Sequence, residues 1–308
     1  MGRSEEAGIM RYLSFLGVST LLVACLVSTI GIARAQTASS EFTNAIRYDG
    51  DRRVTGVIAA DPDGSDSLRF AAVRNTYDGA GRLIRVEKGE LASWQSEAVA
   101  PANWAGFTIF SKAETAYDGA DHKILETVWG WDTVNSAWLE SAATQYSYDA
   151  NERLECTAVR MNPAAFASLP ASACNLGTAG SFDDDRITRN VYGDVGELLK
   201  VRKAYGTSLQ QDYVTYAYSA NNKPISMIDA NGNKASMTYD GFDRQVRWNF
   251  PSKTVPSQVS TDDYEEYGYD ANDNRTSLRK RDARTLTFTY DALNRMTSKV
   301  VPDACVLS

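Results

Sequence analysis

The chain has 308 residues, 43% of them hydrophobic and 23% charged, a balance that supports a packed core and excludes wholesale disorder. Its formal net charge of -7 disfavours a general nucleic-acid binder, because such affinity rests on cationic contacts with phosphate. One histidine and four cysteines, none of them in a Cys-x-x-Cys pair, leave no zinc-type ligand set, and neither metal nor cofactor is expected.

The first element is a targeting segment. Leu13 to Ala33 is an apolar run interrupted only by small polar residues, preceded by Arg11 and closed by Ala33-Arg34-Ala35. That layout predicts an export signal over residues 1–35, a mature chain beginning at Gln36, and a secreted or cell-envelope location. Two alternatives stand behind it. The run is long enough to span a bilayer uncleaved, and Leu22-Val23-Ala24-Cys25 resembles a lipobox that would place a lipid on Cys25. Residues 36–47 form a short lead-in.

From residue 48 to 301 an internal repeat organises the chain. Tyr-Asp occurs at Tyr48-Asp49, Tyr77-Asp78, Tyr117-Asp118, Tyr148-Asp149, Tyr239-Asp240, Tyr269-Asp270 and Tyr290-Asp291, with degenerate copies at Tyr192 and Tyr218. A residue tolerant of positive φ, such as Gly81, Gly196 or Asn294, often sits four places after the tyrosine. Such spacing predicts a hairpin with a type I turn and a G1 bulge, in which the aspartate caps backbone amides as an Asx-turn. In this register Asp78 faces Arg82 and Tyr77 faces Leu83; Arg153, Arg244 and Arg295 hold the position of Arg82. Nine units predict about 18 strands, in a long sheet that twists and curls.

Strand composition agrees with the hairpins. Residues 213–218 and 285–290 are β-branched or aromatic runs with period-2 alternation. No apolar period of 3.6 residues is sustained after the signal. Pro163 to Ala173 is the only plausible helical stretch, and Pro170 breaks it.

Other features are taken in chain order. Asp61-Pro62-Asp63-Gly64 reads as a proline-initiated turn. Trp129, Trp131 and Trp138 are expected to be strand residues of a degenerate hairpin, and they are also the best candidate ligand surface. His122, the only imidazole, falls at the arginine position of its unit and reads as a solvated turn residue. Cys156 and Cys174 flank a loop insertion over about 156–186 and can close it as a disulfide in an oxidising compartment, with Cys305 left unpaired. Asp183-Asp184-Asp185 reads as a solvated acidic loop. Asp270 to Asn274 begins like an EF-hand loop but fails it, with Arg275 at the required glycine. Arg279-Lys280-Arg281 reads as a charged hairpin tip, and residues 302–308 as a tail.

These repeats resemble the RHS/YD-repeat family of secreted bacterial proteins. Asp229-Ala230-Asn231-Gly232-Asn233 followed by Tyr239-Asp240-Gly241-Phe242-Asp243-Arg244 is a passage of that kind, as is Tyr269 to Arg275. The resemblance implies a spiralling β-sheet that closes into a shell, within which a separate C-terminal toxin domain does the chemistry. The family's core segment with its self-cleavage site does not follow the repeats here, so neither cleavage nor a toxin is carried over, and the chain reads as a truncated N-terminal part.

The expectation is thus an all-β, non-catalytic scaffold whose partners are further RHS repeats or a toxin domain in a longer chain. No nucleic-acid partner is expected, and the membrane is reached only through an uncleaved signal. The alternative is an extracellular carbohydrate- or receptor-binding module. A free last strand predicts self-association.

Overall fold

The computed structural model describes residues 43–64 and 67–302. The expected export signal with Cys25, the start of the expected lead-in, and Cys305 with most of the expected tail lie outside the described residues.

Eighteen strands follow one another in chain order. They are β1 (Ala45–Tyr48), β2 (Val54–Ile58), β3 (Phe70–Tyr77), β4 (Leu83–Leu91), β5 (Phe107–Tyr117) and β6 (Lys123–Asp132). Next come β7 (Ala137–Tyr148), β8 (Leu154–Arg160), β9 (Arg186–Tyr192), β10 (Leu198–Lys203), β11 (Gln211–Tyr218) and β12 (Pro224–Asp229). The last six are β13 (Lys234–Tyr239), β14 (Gln245–Pro251), β15 (Val259–Tyr269), β16 (Arg275–Arg279), β17 (Thr285–Tyr290) and β18 (Met296–Val300). Each pairs antiparallel with the next, so the sheet is a continuous meander from β1 to β18.

The sheet is open and uncurled, which corrects the expected curl. Both faces carry half-buried side chains along most strands, so no single apolar face draws the sheet closed. The expected helical stretch is reduced to a 3-10 turn over Pro163–Ser168, started by Asn162 accepting from the N–H of Ala164. Among the described residues no helix is long and apolar enough to cross a membrane.

Where a long connection folds back, the single layer becomes a core. The segment between β4 and β5 covers a cluster of Ala45, Ile58, Phe70, Ala72, Leu91 and Trp104. Trp104 lies so close on β2 that a Cβ at Gly56 would fall 2.5 Å from its ring, which is why that strand position lacks a side chain. The second cluster joins Cys156, Ala158, Ala173 and Ile187 under the insertion between β8 and β9.

Asp185 corrects the reading of a solvated acidic loop: Asp183 and Asp184 are exposed, but Asp185 is buried. Its carboxylate accepts from Arg160 at 2.6 Å and from the backbone N–H groups of Met161 and Gly177. A charge so placed survives burial because both carboxylate oxygens have donors, one of them a guanidinium. Burial acts to raise its pKa, but the Arg160 guanidinium and the two N–H donors outweigh it and hold the carboxyl below its usual value.

Candidate functional site: a keyed row of tyrosine-aspartate turns

All nine tyrosine starts end odd-numbered strands, and all nine turns follow one register. Counting the tyrosine as position 0, it pairs with position 6, and the residue before it pairs with position 8. Position 7 is skipped, a bulge repeated at each hairpin. Position 4 has positive φ throughout: Arg52, Gly81, Asp121, Glu152, Gly196, Asn222, Asp243, Asp273 and Asn294.

The aspartate at position 1 sets this geometry. One carboxylate oxygen accepts from the backbone N–H of positions 3 and 5, as in Asp78 from Ala80 at 3.0 Å and Arg82 at 2.9 Å. The other accepts from the side chain at position 5, Arg82 Nε donating at 2.7 Å. The same set recurs around Asp49, Asp118, Asp149, Asp240, Asp270 and Asp291. In the degenerate unit at Tyr218, the Ser219 hydroxyl takes the same two amides.

These bonds hold the carboxyls below their ordinary range. For Asp49, Asp78 and Asp291 the largest cause is the backbone N–H at position 5, and for Asp149, Asp240 and Asp270 the side chain there. At Asp118 burial pulls upward but is outweighed by the bonds from His122 and Ala120.

The turns do more than reverse the chain. Each tyrosine from Tyr77 onward donates its hydroxyl to the backbone carbonyl at position 6 of the preceding unit. Tyr77 reaches Val54, Tyr117 Leu83, Tyr148 Lys123 and Tyr192 Leu154. Tyr218 reaches Leu198, Tyr239 Pro224, Tyr269 Gln245 and Tyr290 Arg275. All eight distances fall between 2.9 and 3.2 Å. A phenol suits this place because its ring covers the sheet while its hydroxyl finds a partner.

In four units an arginine at position 5 caps the next ring. Arg53 lies over Tyr77, Arg82 over Tyr117, Arg153 over Tyr192 and Arg244 over Tyr269, at 4.4–4.9 Å from the centroids. Arg82 also donates to the carbonyl of Asp118 and to the Asp121 carboxylate, and Arg244 does the same at Asp270 and Asp273. His122 takes this role in its unit, stacking on Tyr148 at 4.3 Å with Nδ1 3.1 Å from Asp118. It is thus half-buried between turns and not the solvated residue expected from sequence.

The strand pairing between units is equally fixed. Position 8 of one unit faces the residue three before the next tyrosine at all eight junctions: Gly56 with Arg74, Arg85 with Glu114, Leu125 with Gln145 and so on to Ser277 with Thr287. The repeat is therefore a unit of junction as well as of turn.

The remaining candidates fall elsewhere. Trp131 and Trp138 are a cross-strand pair on β6 and β7, edge to face at 5.5 Å. Lys112 on β5 lies over Trp129 and Trp138, so much of this aromatic surface is occupied by its own strand neighbours. Cys156 and Cys174 form a disulfide with Cα atoms 5.3 Å apart, tying the insertion to β8. Arg279 and Arg281, expected at a charged tip, turn back over Tyr264 and Phe250, and Arg281 pairs with Asp263. Among the described residues no group of three or more His, Cys, Asp or Glu side chains is placed to hold a metal ion.

One feature escaped the sequence reading: the acceptor of each tyrosine is a backbone carbonyl, which carries no residue signature. The turn cluster at Asp229 and the tip at Lys280 build the same backbone turn on the opposite rim without a preceding tyrosine.

Comparison with known proteins agrees with the repeat. The RHS Repeat family model matches residues 269–304, the span of the last two tyrosine units. Among solved structures, the chain is similar to TcdB2-TccC3 without its hypervariable C-terminal region, at 16% identity and a TM-score of 0.45 over 83% of this chain. A Photorhabdus luminescens Tc holotoxin pore is similar at 16% identity and a TM-score of 0.45, again over 83% of this chain. The chain spans 13% of the length of each of those two chains. No curated protein matches. The same tyrosine turn recurs at every earlier start, and the chain carries a matched RHS repeat over residues 269–304.

Proposed function

We propose that the chain is a non-catalytic length of wall in an exported RHS-type shell, the kind of enclosure that in longer relatives holds a toxin for intercellular competition. The observation that carries the reading is the junction repeated eight times, in which a tyrosine hydroxyl bond and one strand register recur together, with an arginine over the ring at four of them. The eight hydroxyls and the guanidinium groups of Arg53, Arg82, Arg153 and Arg244 hold one unit to the next, while the aspartate carboxylates fix each turn, as a load-sharing scaffold requires. His122 supports the same role, since the chain's one imidazole stands in arginine's place in the row.

The experiment separates scaffold from enzyme by substitution at that residue. In the producing cell, His122→Arg restores the common cation and is expected to leave export and competition against neighbouring cells unchanged. Tyr148→Ala combined with Asp149→Ala breaks the same junction and is expected to abolish competition. Loss of activity in His122→Arg with the fold intact would refute the scaffold reading. A second reading, carbohydrate binding, is favoured only by the 42% exposure of Trp131. Glycan binding abolished by Trp131→Ala would establish it.

A further inference from the structure

The two ends of the sheet are the two halves of one junction. At the C-terminal end, β18 is exposed along its whole length and offers the Met296 carbonyl at position 6 of the last unit. Beside it Arg295 binds Asp291 but has no following ring among the described residues, and its side chain is 74% exposed, against 21–30% for Arg53, Arg82, Arg153 and Arg244. At the other end Tyr48 has no preceding unit among the described residues and is 58% exposed, with Ile46 exposed on the same strand. The donor and ring missing at one edge are those displayed at the other.

We propose that the C-terminal edge of one copy docks onto the N-terminal edge of a second copy, β18 against β1, by the same junction used eight times within the chain. The assignment rests on the scaffold reading only for the repeat geometry, and the pieces follow by rule. Tyr48 of the second copy donates to the Met296 carbonyl of the first, and Arg295 covers the Tyr48 ring. Position 8 is Ser298, and the residue three before Tyr48 is Ala45, so Ser298 faces Ala45 across the interface. Such an edge-to-edge contact is heterologous, using different surfaces on the two copies, so it does not close with two chains and grows head to tail.

Sedimentation velocity on the full chain across a concentration series is the first test. Mass is expected to rise with concentration beyond a dimer. Tyr48→Phe, which removes one hydroxyl, is expected to weaken association about fivefold, and Arg295→Ala by a comparable factor. The second test reads the register: Asn44→Cys/Lys299→Cys, the exposed pair one step along the same register, is expected to give a ladder of covalent multimers on mild oxidation, while Asn44→Cys/Ser298→Cys, offset by one residue to the opposite face, gives none above wild type. Circular dichroism of each variant shows that the sheet is retained. A monomer at every concentration, association indifferent to both edge substitutions, or equal crosslinking in the two registers would each overturn the proposal. Those outcomes leave the scaffold reading standing, because it depends on the internal junctions and not on the edges.

Discussion

Removing single tyrosine hydroxyls gives a graded test of the row. Tyr148→Phe deletes the donor that reaches the Lys123 carbonyl at 3.0 Å and leaves the ring in place under His122. A half-buried hydrogen bond of this kind contributes about 1 kcal/mol net. Tyr192→Phe is expected to cost less, about 0.5 kcal/mol, because Asn190 also donates to the Leu154 carbonyl at 2.9 Å. Tyr77→Phe belongs with it, Asn75 reaching Val54 in the same way. Tyr48→Phe, with no preceding unit, should leave the stability of the dilute monomer unchanged. Successive tyrosines lie two strands apart, about 10 Å, so a combined Tyr148→Phe/Tyr218→Phe/Tyr239→Phe/Tyr269→Phe variant should lose about 4 kcal/mol. For a chain of this size that is a fall in Tm of about 8 °C, read by differential scanning calorimetry. Equal losses at Tyr48 and Tyr148, or no loss in the combined variant, would refute the reasoning.

The turn aspartates make stability depend on pH at the acid end. Their folded pKa values lie below the ordinary 3.8, so their contribution is complete above that pH and is lost as the pH falls through the lower folded values; Tm should hold near pH 5 and drop below about pH 3.5. At the alkaline end, burial raises Tyr117, Tyr148, Tyr218 and Tyr239 above 10.0, so their share is complete below pH 10 and lost above it, seen as cooperative unfolding with phenolate absorbance. Reducing the Cys156–Cys174 disulfide, whose partners are 18 residues apart, should cost about 3 kcal/mol and raise hydrogen exchange first in the insertion between β8 and β9. Glu152 holds φ of 61°, so Glu152→Gly should stabilise by about 0.5 kcal/mol, the relieved strain exceeding the added backbone entropy; denaturant unfolding measures it.

The strand count and the nine reversals were legible because turn chemistry repeats in the sequence at fixed offsets: an aromatic, a capping carboxylate, and a cation four residues beyond the carboxylate. What stayed hidden has a common cause. Val54, Lys123 and Pro224 share no side-chain chemistry, yet their carbonyls do the same thing, so the acceptor row has no signature. Arg52, Glu152 and Asp243 take a conformation usually left to glycine or asparagine because the aspartate bonds on either side of them over-determine the turn. Asp185 looked like one of three solvated carboxylates because its partner Arg160 is 25 residues away in sequence. The curl expected of so long a sheet is a property of the whole sheet, and local patterning says only that the strands pair.

The central claim is that each unit is keyed to its immediate neighbour, and a double-mutant cycle between Arg153 and Tyr192 tests it most directly. With Arg153→Met and Tyr192→Leu, the coupling across one junction should be about 0.5–1 kcal/mol, while the cycle between Arg153 and Tyr218, one unit further on, should read zero within about 0.3 kcal/mol. Equal coupling in the two cycles, or none in either, would contradict a wall built unit on unit.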